Sequence, residues 1–83
     1  MRFTAGTPWY KRLRLLRVEA ELTQVEMAER LGTTPRNYWR WENGVNIPIP
    51  IYRQKIAETL NVPSRVIFAG DLTRKEQNDD SNR

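Results

Sequence analysis

The sequence predicts an all-α domain of five helices, and three observations support this fold class. Apolar residues recur at helical spacing in successive segments, several of which open with a capping residue or proline and close with glycine or asparagine. No segment alternates apolar and polar residues over the length of a strand. A chain of 83 residues without an internal repeat has the length of one small domain.

The first helix is predicted to begin with Thr7 as the N-cap and Pro8 at the first helical position. It is predicted to end near Ala20 or Glu21. Four residues at helical spacing are expected to form its buried stripe: Trp9, Leu13, Leu16 and Ala20. The residues before it, 1–7, show no periodicity and are expected to form a flexible arm.

A capping box predicts the start of the second helix. Thr23 and Glu26 are three residues apart, so each side chain is placed to accept a hydrogen bond from the other's backbone N–H. Gly32 is expected to end this helix in the left-handed conformation. Four residues supply its apolar content: Val25, Met27, Ala28 and Leu31.

A turn of three residues, 32–34, leads into the third helix and predicts a steep crossing of the two helices. Thr34 is the expected N-cap, Pro35 the first helical residue, and the helix should run to about Glu42. Two aromatic residues at i, i+3 spacing are expected to face the core: Tyr38 and Trp41. Two residues are expected to end the helix: Asn43 and Gly44.

Two more helices are predicted after the proline-containing loop at 45–50. The fourth should run from about Ile51 to Asn61, with three apolar residues at i, i+4 intervals: Tyr52, Ile56 and Leu60. Pro63 is expected to begin a short fifth helix that Gly70 ends. This last helix contains three apolar residues: Val66, Ile67 and Phe68.

The composition excludes several classes of function. Cysteine and histidine are absent, which removes disulfides, thiol and imidazole catalysis and the usual zinc sites, so we expect no enzyme activity, metal or cofactor. No apolar run approaches the roughly 18 residues of a membrane span, and the N-terminus does not resemble a signal peptide, so a cytoplasmic location is expected. Residues 8–72 form the predicted domain, and 73–83 a disordered polar tail.

Positive charge is concentrated at the start of the chain. The net charge is +4 and the sequence pI near 10.0, and every charged residue from Arg2 to Val18 is basic, whereas acids dominate from Glu19 to Glu29. Such a local imbalance is expected where one face approaches a polyanion. A basic, solvated helix face would give the same pattern.

An ordered set of residues spans the second, third and fourth predicted helices and the loop between the last two. It comprises Leu22-Thr23-Gln24, Met27-Ala28-Glu29-Arg30-Leu31-Gly32, Trp41-Glu42-Asn43-Gly44, Pro48, and Lys55-Ile56-Ala57 with Leu60 and Val62. The set resembles the Cro-like and phage-repressor-like helix-turn-helix family, also called the xenobiotic response element family, over about Leu13 to Ile67. The resemblance implies a compact, lambda-repressor-like domain that binds double-stranded DNA, with helix 3 in the major groove.

The resemblance also implies that bases are read by the start and outer face of helix 3. These positions match the family in place but not in identity: Thr34, Pro35, Arg36, Asn37 and Arg40. Arginine is able to donate two hydrogen bonds to guanine, so Arg36 or Arg40 is the best candidate for direct readout, with phosphate contact an equal alternative for each. Asn37 is suited to adenine, and Pro35 to apolar contact with a thymine methyl.

Other residues are implied to contact phosphates. Gln24 would touch a phosphate and brace the start of helix 3. The alternative is that Gln24 is an ordinary residue of the first turn of helix 2, without a role in DNA binding. Asn43 and Gly44 would make a backbone-mediated contact just beyond helix 3. The remaining phosphate candidates are Thr23, Lys11 and Arg14.

Three positions are interpreted as structural. In the family, the positions of Arg17 and Glu42 form a mostly buried ion pair that joins helix 1 to the end of helix 3. Trp39 departs from the small or polar residue usual at its position. It is interpreted as a cover over helix 4 or the 45–50 loop, in preference to packing on the sugar-phosphate backbone of DNA.

One short helix offers few base contacts, so a homodimer on a palindromic operator is expected, acting as a repressor or autoregulator. The interface candidates lie in or near the last helix: Val66, Phe68, Ile47 and Ile49. The alternative is that these residues close the monomer core, as expected for Ile67. No small-molecule ligand is evident. The alternative function is a protein-interaction module of the same fold, such as an antitoxin or adaptor.

Overall fold

Five α-helices follow one another along the chain in the computed structural model, which describes residues 6–70 and residue 72. They are α1 (Trp9–Glu19), α2 (Gln24–Leu31), α3 (Pro35–Glu42), α4 (Pro50–Leu60) and α5 (Ser64–Phe68). No strand occurs in the described region, so the prediction of an all-α, five-helix fold is confirmed. The expected tail at 73–83 lies outside the described residues, as does most of the expected arm at 1–7.

The local signals around α2 act as predicted. The Thr23 hydroxyl accepts from the N–H of Glu26 at 3.0 Å, and the Glu26 carboxylate accepts from the N–H of Thr23 at 2.9 Å. Hydrogen bonds from Thr23 to the Glu26 carboxylate, first from its backbone N–H and then from its side chain, lower the pKa of Glu26. Gly32 ends the helix with a φ of 74°, a conformation that favours glycine.

The start of α3 is also fixed locally. The Thr34 hydroxyl accepts from the N–H of Asn37 at 3.0 Å, and Pro35 occupies the first helical position, where its missing N–H has no helical partner to lose. Only 32–34 separate α2 from α3, and these two helices pack against each other. The short turn therefore places the start of α2 and the outer face of α3 on one side of the molecule.

Helix α1 differs from the prediction at both ends. Pro8 is the N-cap and not the first helical residue, because its ψ of 159° is extended and its carbonyl accepts from the N–H groups of Lys11 and Arg12. The helix ends at Glu19, and Ala20 is exposed beyond its last turn. Ala20 therefore does not belong to the buried stripe.

The last two helices start within a residue of their predicted positions. Helix α4 begins at Pro50, which suits a first helical position, and Asn61 follows it in the left-handed conformation with a φ of 57°. Pro63 precedes α5 as its N-cap. That helix ends at Phe68, two residues before Gly70.

The core lies where all five helices meet. α1 packs against α3 and α5, α2 against α3 and α4, and α4 against α5. Aromatic side chains join distant parts of the chain, with the ring of Trp41 5.1 Å from that of Tyr52 and the ring of Trp9 6.0 Å from that of Phe68. Val25, expected among the apolar content of α2, is exposed. No helix in the described region has the length and apolar character needed to cross a membrane.

Candidate nucleic-acid interface

Helix α3 has an inner and an outer face with different chemistry. Its buried residues are Tyr38, Trp41 and Glu42. Its outer face carries the predicted base-reading residues, of which Thr34, Pro35 and Arg36 are exposed and Asn37 and Arg40 half-buried. Arg36 and Arg40 are four residues apart and so share one side of the helix. The outer face thus presents two guanidinium groups to the solvent.

The carboxylate of Glu42 joins this helix to α1 and α2 by hydrogen bonds. Glu42, whose side chain is 1% exposed, accepts from Nε of Arg17 at 2.5 Å and from Nη2 of Arg17 at 3.1 Å. It also accepts from Nε2 of Gln24 at 3.1 Å and from the hydroxyl of Tyr38. Arg17 in turn donates to the carbonyl of Leu22 at 2.7 Å. The expected ion pair is therefore present, and it belongs to a network that joins α1, α2 and α3.

The network changes the titration of its members. Hydrogen bonding to Glu42 raises the pKa of the Arg17 guanidinium, which stays charged. Burial raises the pKa of the Tyr38 phenol well above its usual value, and the adjacent Glu42 carboxylate raises it further. Tyr38 is consequently a neutral donor to Glu42 at physiological pH.

Gln24 lies at the start of α2, as predicted, and its amide donates to Glu42 at the end of α3. It also borders one groove with Pro35 and Arg36 at the start of α3, and that it braces this start stays a prediction. One hydrogen of the amide remains available. Within residues 6–70, no hydrogen bond is made by the backbone N–H groups of Gln24 and Val25, as is normal for a first helical turn. These donors open onto the surface beside Thr23.

Asn43 and Gly44 are not free to make the expected backbone contact with phosphate. The N–H of Asn43 donates to the carbonyl of Trp39 at 3.0 Å, and the N–H of Gly44 donates to that of Trp41 at 3.2 Å. Gly44 is also buried, with a φ of 71°. Both N–H groups instead complete the end of α3, which corrects their expected role.

Asn37 lies on the flank of α3 that faces the 45–50 loop. Its Nδ2 donates to the hydroxyl of Thr33 at 2.8 Å, and it borders a groove with Trp41 and Ile47. The oxygen and one hydrogen of this amide remain available to a ligand, as pairing with adenine requires.

Trp39 lies on the opposite flank, where it separates two grooves. The Arg14 groove is lined by Arg14, Thr23, Gln24, Val25, Trp39 and Asn43, among others. The Arg36 groove is lined by Gln24, Pro35, Arg36 and Trp39. The expectation that Trp39 covers α4 or the 45–50 loop is therefore wrong, because Trp41 packs on Tyr52 there. Helical periodicity placed Trp39 off the core but gave no sign of its neighbours.

The basic residues of α1 divide between surface and core. Lys11 and Arg14 are exposed, and Arg14 borders the start of α2 as the predicted phosphate contacts require. Arg12 is half-buried and donates to the carbonyl of Ile67 at 3.4 Å. Only part of the positive charge of α1 therefore faces the candidate interface.

The predicted dimer contacts differ in how much surface they offer. Phe68 is 7% exposed and packs on Trp9, so it closes the monomer core and leaves little for a partner chain, which corrects its expected role. Ile67 is buried, as expected. Val66 and Ile47 are half-buried, whereas Ile49 is 58% exposed. Ile51, which sequence reasoning missed, is 61% exposed two residues further along.

Fold and site together define a DNA-binding regulator of the helix-turn-helix type. The chain belongs to the helix-turn-helix domain family, whose model matches residues 10–71. It resembles the restriction-modification controller protein C.AhdI from Aeromonas hydrophila, at 27% identity and a TM-score of 0.69 over 72% of this chain and 91% of that one. It also resembles the SOS-response transcriptional repressor LexA from Eubacterium rectale, at 25% identity and a TM-score of 0.68 over 87% of this chain and 72% of that one. No curated protein matches the sequence significantly. The resemblance to Cro-like and phage-repressor-like regulators is confirmed.

Proposed function

We propose that this protein represses transcription, or regulates its own, by placing α3 in the major groove of an operator as a homodimer. The observation that carries the proposal is the division of α3 into two faces. Its inner face is bound to α1 and α2 through Glu42, and its outer face presents Arg36 and Arg40 to the solvent. A recognition helix needs both properties, because a rigid support keeps the reading side chains in register with the bases.

Direct readout is assigned to the outer face of α3. Arg36 is exposed and Arg40 half-buried, and no hydrogen bond or ion pair joins either guanidinium to another residue within 6–70. Each is therefore free to donate two hydrogen bonds to a guanine, which discriminates against a wrong base by about 1 to 3 kcal/mol. Thr34, Pro35 and Asn37 complete the surface that faces the bases.

Phosphate contacts are assigned to the start of α2 and the nearby face of α1. The unpaired N–H groups of Gln24 and Val25 are partial positive charges, and the exposed Thr23 lies directly before them. The exposed side chains of Lys11 and Arg14 add full charges on α1. Such contacts position a protein on the duplex without reading its sequence.

The similar proteins support a regulatory role. One is described as a controller of a restriction-modification system and the other as a transcriptional repressor of the SOS response. A small helix-turn-helix protein that occupies an operator acts most simply by competing with polymerase, and this favours repression or autoregulation here.

A homodimer doubles the number of base contacts on a two-fold operator. The exposed pair Ile49 and Ile51 offers apolar surface for it, beside half-buried Ile47. We expect Ile49→Glu and Ile51→Glu to shift sedimentation toward the monomer. Leu15→Glu, which changes another exposed apolar residue, on α1, is the matched control and should leave the dimer intact.

The function itself is tested by selecting bound fragments from a random duplex library and then measuring affinity against salt for the selected sequence. Enrichment of a two-fold motif, relaxed at defined bases by Arg36→Ala or Arg40→Ala, supports the proposal. Weak binding that is equal across sequences, or no binding, contradicts it and favours a protein-interaction module. Circular dichroism of both variants establishes that they remain folded.

A further inference from the structure

The indole of Trp39 forms a ridge on the protein surface between the Arg14 groove and the Arg36 groove. Gln24 borders both grooves, so the ridge consists of Trp39 with Gln24 beside it. Trp39 is 45% exposed, whereas the other two tryptophans, Trp9 and Trp41, are buried in the core. Trp39 therefore presents a large apolar ring at the surface, between Arg14 in one groove and Arg36 in the other.

Both grooves carry positive charge that no acid compensates. Arg17 also borders the Arg14 groove, but Glu42 neutralises it. No hydrogen bond or ion pair joins Arg14 or Arg36 to another residue in the stretch from 6 to 70. An anion approaching the ridge from either side therefore meets an unpaired guanidinium group.

Hydrogen bonds hold the side chain of Gln24 and the backbone of Trp39. The amide of Gln24 is fixed by its hydrogen bond to Glu42, and Nδ2 of Asn43 donates to the carbonyl of Trp39 at 2.9 Å. Groups already fixed in the free protein lose little conformational freedom when a ligand binds. Here the fixed groups are the Gln24 amide and the backbone that carries the exposed indole.

We propose that the ridge carries the sugar-phosphate backbone of one DNA strand, with a deoxyribose packed on the Trp39 indole and its two flanking phosphates directed toward Arg14 and Arg36, which leaves the direct reading of guanine to Arg40. The order of cation, apolar ring and cation across the ridge matches the order of phosphate, sugar and phosphate along a strand. The inference rests on the proposed function and assigns Trp39 to it as a positioning residue. Since every nucleotide has the same sugar and phosphate, Trp39 adds affinity without reading sequence.

The first test uses the intrinsic fluorescence of the protein. Because Trp9 and Trp41 are buried, quenching by acrylamide reports mainly on Trp39. Saturation with the selected operator should reduce this quenching in the wild-type protein. In Trp39→Phe the remaining fluorescence should be poorly quenched whether or not DNA is bound. Equal quenching of the wild-type protein with and without saturating DNA contradicts the proposal.

The second test separates backbone contact from base contact. Trp39→Ala should weaken binding to the selected operator and to a scrambled duplex by the same factor, about tenfold, and leave the salt dependence unchanged. Trp39→Phe should restore most of the affinity, because it keeps a flat apolar ring. Arg14→Ala should lower the salt slope by about one, as expected for loss of one phosphate contact. Leu15→Ala, an exposed apolar change on α1, should have no effect.

Three other results would contradict the proposal, and each of them leads to a different conclusion. If the wild-type protein binds the operator and Trp39→Ala, folded by circular dichroism, binds equally well, the ridge does not touch DNA and the inference is wrong while the function stands. If Trp39→Ala changes the preference between sequences, the indole contacts a base. If the wild-type protein binds no duplex, both the inference and the proposed function are wrong.

Discussion

Arg17 on α1 and Glu42 at the end of α3 form a two-point ion pair, with Nε and Nη2 of the guanidinium each donating to one carboxylate oxygen. The guanidinium side chain is 11% exposed and the carboxylate side chain 1% exposed, so the carboxylate is removed from water and the guanidinium mostly so. A buried pair of this kind is costly to break, because the partner that remains keeps its charge and loses its compensation.

Arg17→Ala should therefore lower the free energy of unfolding by about 3 to 5 kcal/mol, as measured by urea denaturation. Arg14→Ala, on the exposed side of the same helix, should change it by less than about 0.5 kcal/mol. A weak DNA-binding signal from Arg17→Ala would then report unfolded protein and not a lost contact. A similar stability for both variants would show that the buried carboxylate tolerates the loss of its partner.

The raised pKa of Tyr38 predicts a loss of stability at alkaline pH. In the folded protein the phenol keeps its proton, whereas in the unfolded chain it ionises near its usual value of about 10. The contribution of Tyr38 to the free energy of unfolding is thus complete below that pH. It is lost as the pH rises further, by about 1.4 kcal/mol per pH unit. Urea denaturation between pH 8 and 11 measures this slope.

Tyr38→Phe is the control for that titration. It removes the hydrogen bond to Glu42 and should cost about 1.5 to 3 kcal/mol at neutral pH. Since phenylalanine does not ionise, the stability difference between the two proteins should shrink above pH 10. A difference that stays constant up to pH 11 contradicts the assignment.

The N-cap of α3 should contribute measurably to stability. Thr34→Ala removes the acceptor for the N–H of Asn37 and should cost about 1 kcal/mol, which lowers the melting temperature of a domain of this size by roughly 4 to 8 °C. Thr34→Ser keeps the hydroxyl and should melt within about 2 °C of the wild-type protein. Equal melting of the alanine and serine variants would argue that the cap adds nothing.

Gly32 tests the backbone conformation at the end of α2. No heavy atom lies within 4 Å of the position that a Cβ would take there, so a substitution meets strain only through its φ of 74°. Gly32→Ala should therefore cost about 1 to 2 kcal/mol, and Gly32→Asn less, since asparagine tolerates this region better. Gly6→Ala, also in open space, is the matched control and should be nearly neutral in thermal denaturation.

The parts of the fold that depend on short-range hydrogen bonding were predictable from the sequence. The capping box of Thr23 and Glu26, the cap at Thr34 and the left-handed Gly32 involve residues at most four apart, so their geometry follows from local rules. The start of α1 does not follow from local rules, because Pro8 fits both the first helical position and the N-cap, and the conformation it adopts depends on the chain around it.

The positions of individual side chains on the candidate site were harder to predict. Spacing placed Trp39 and Gln24 on the surface, but their neighbours come from different helices and depend on how those helices cross. The sequence alone therefore gave no sign that Gln24 contacts the end of α3, or that Trp39 faces α2 and not α4. The exposed Ile51 was missed for the same reason, since helical spacing does not show which apolar face lacks a neighbour.

The separation of α3 into a supporting face and an outer face also has an evolutionary consequence. Substitutions at Pro35, Arg36 and Arg40 leave Tyr38, Trp41 and Glu42 untouched, so the outer surface is able to diversify while the same frame continues to fold. Descendants of this sequence could acquire new binding preferences through changes on that outer surface, without first acquiring compensating changes in the core.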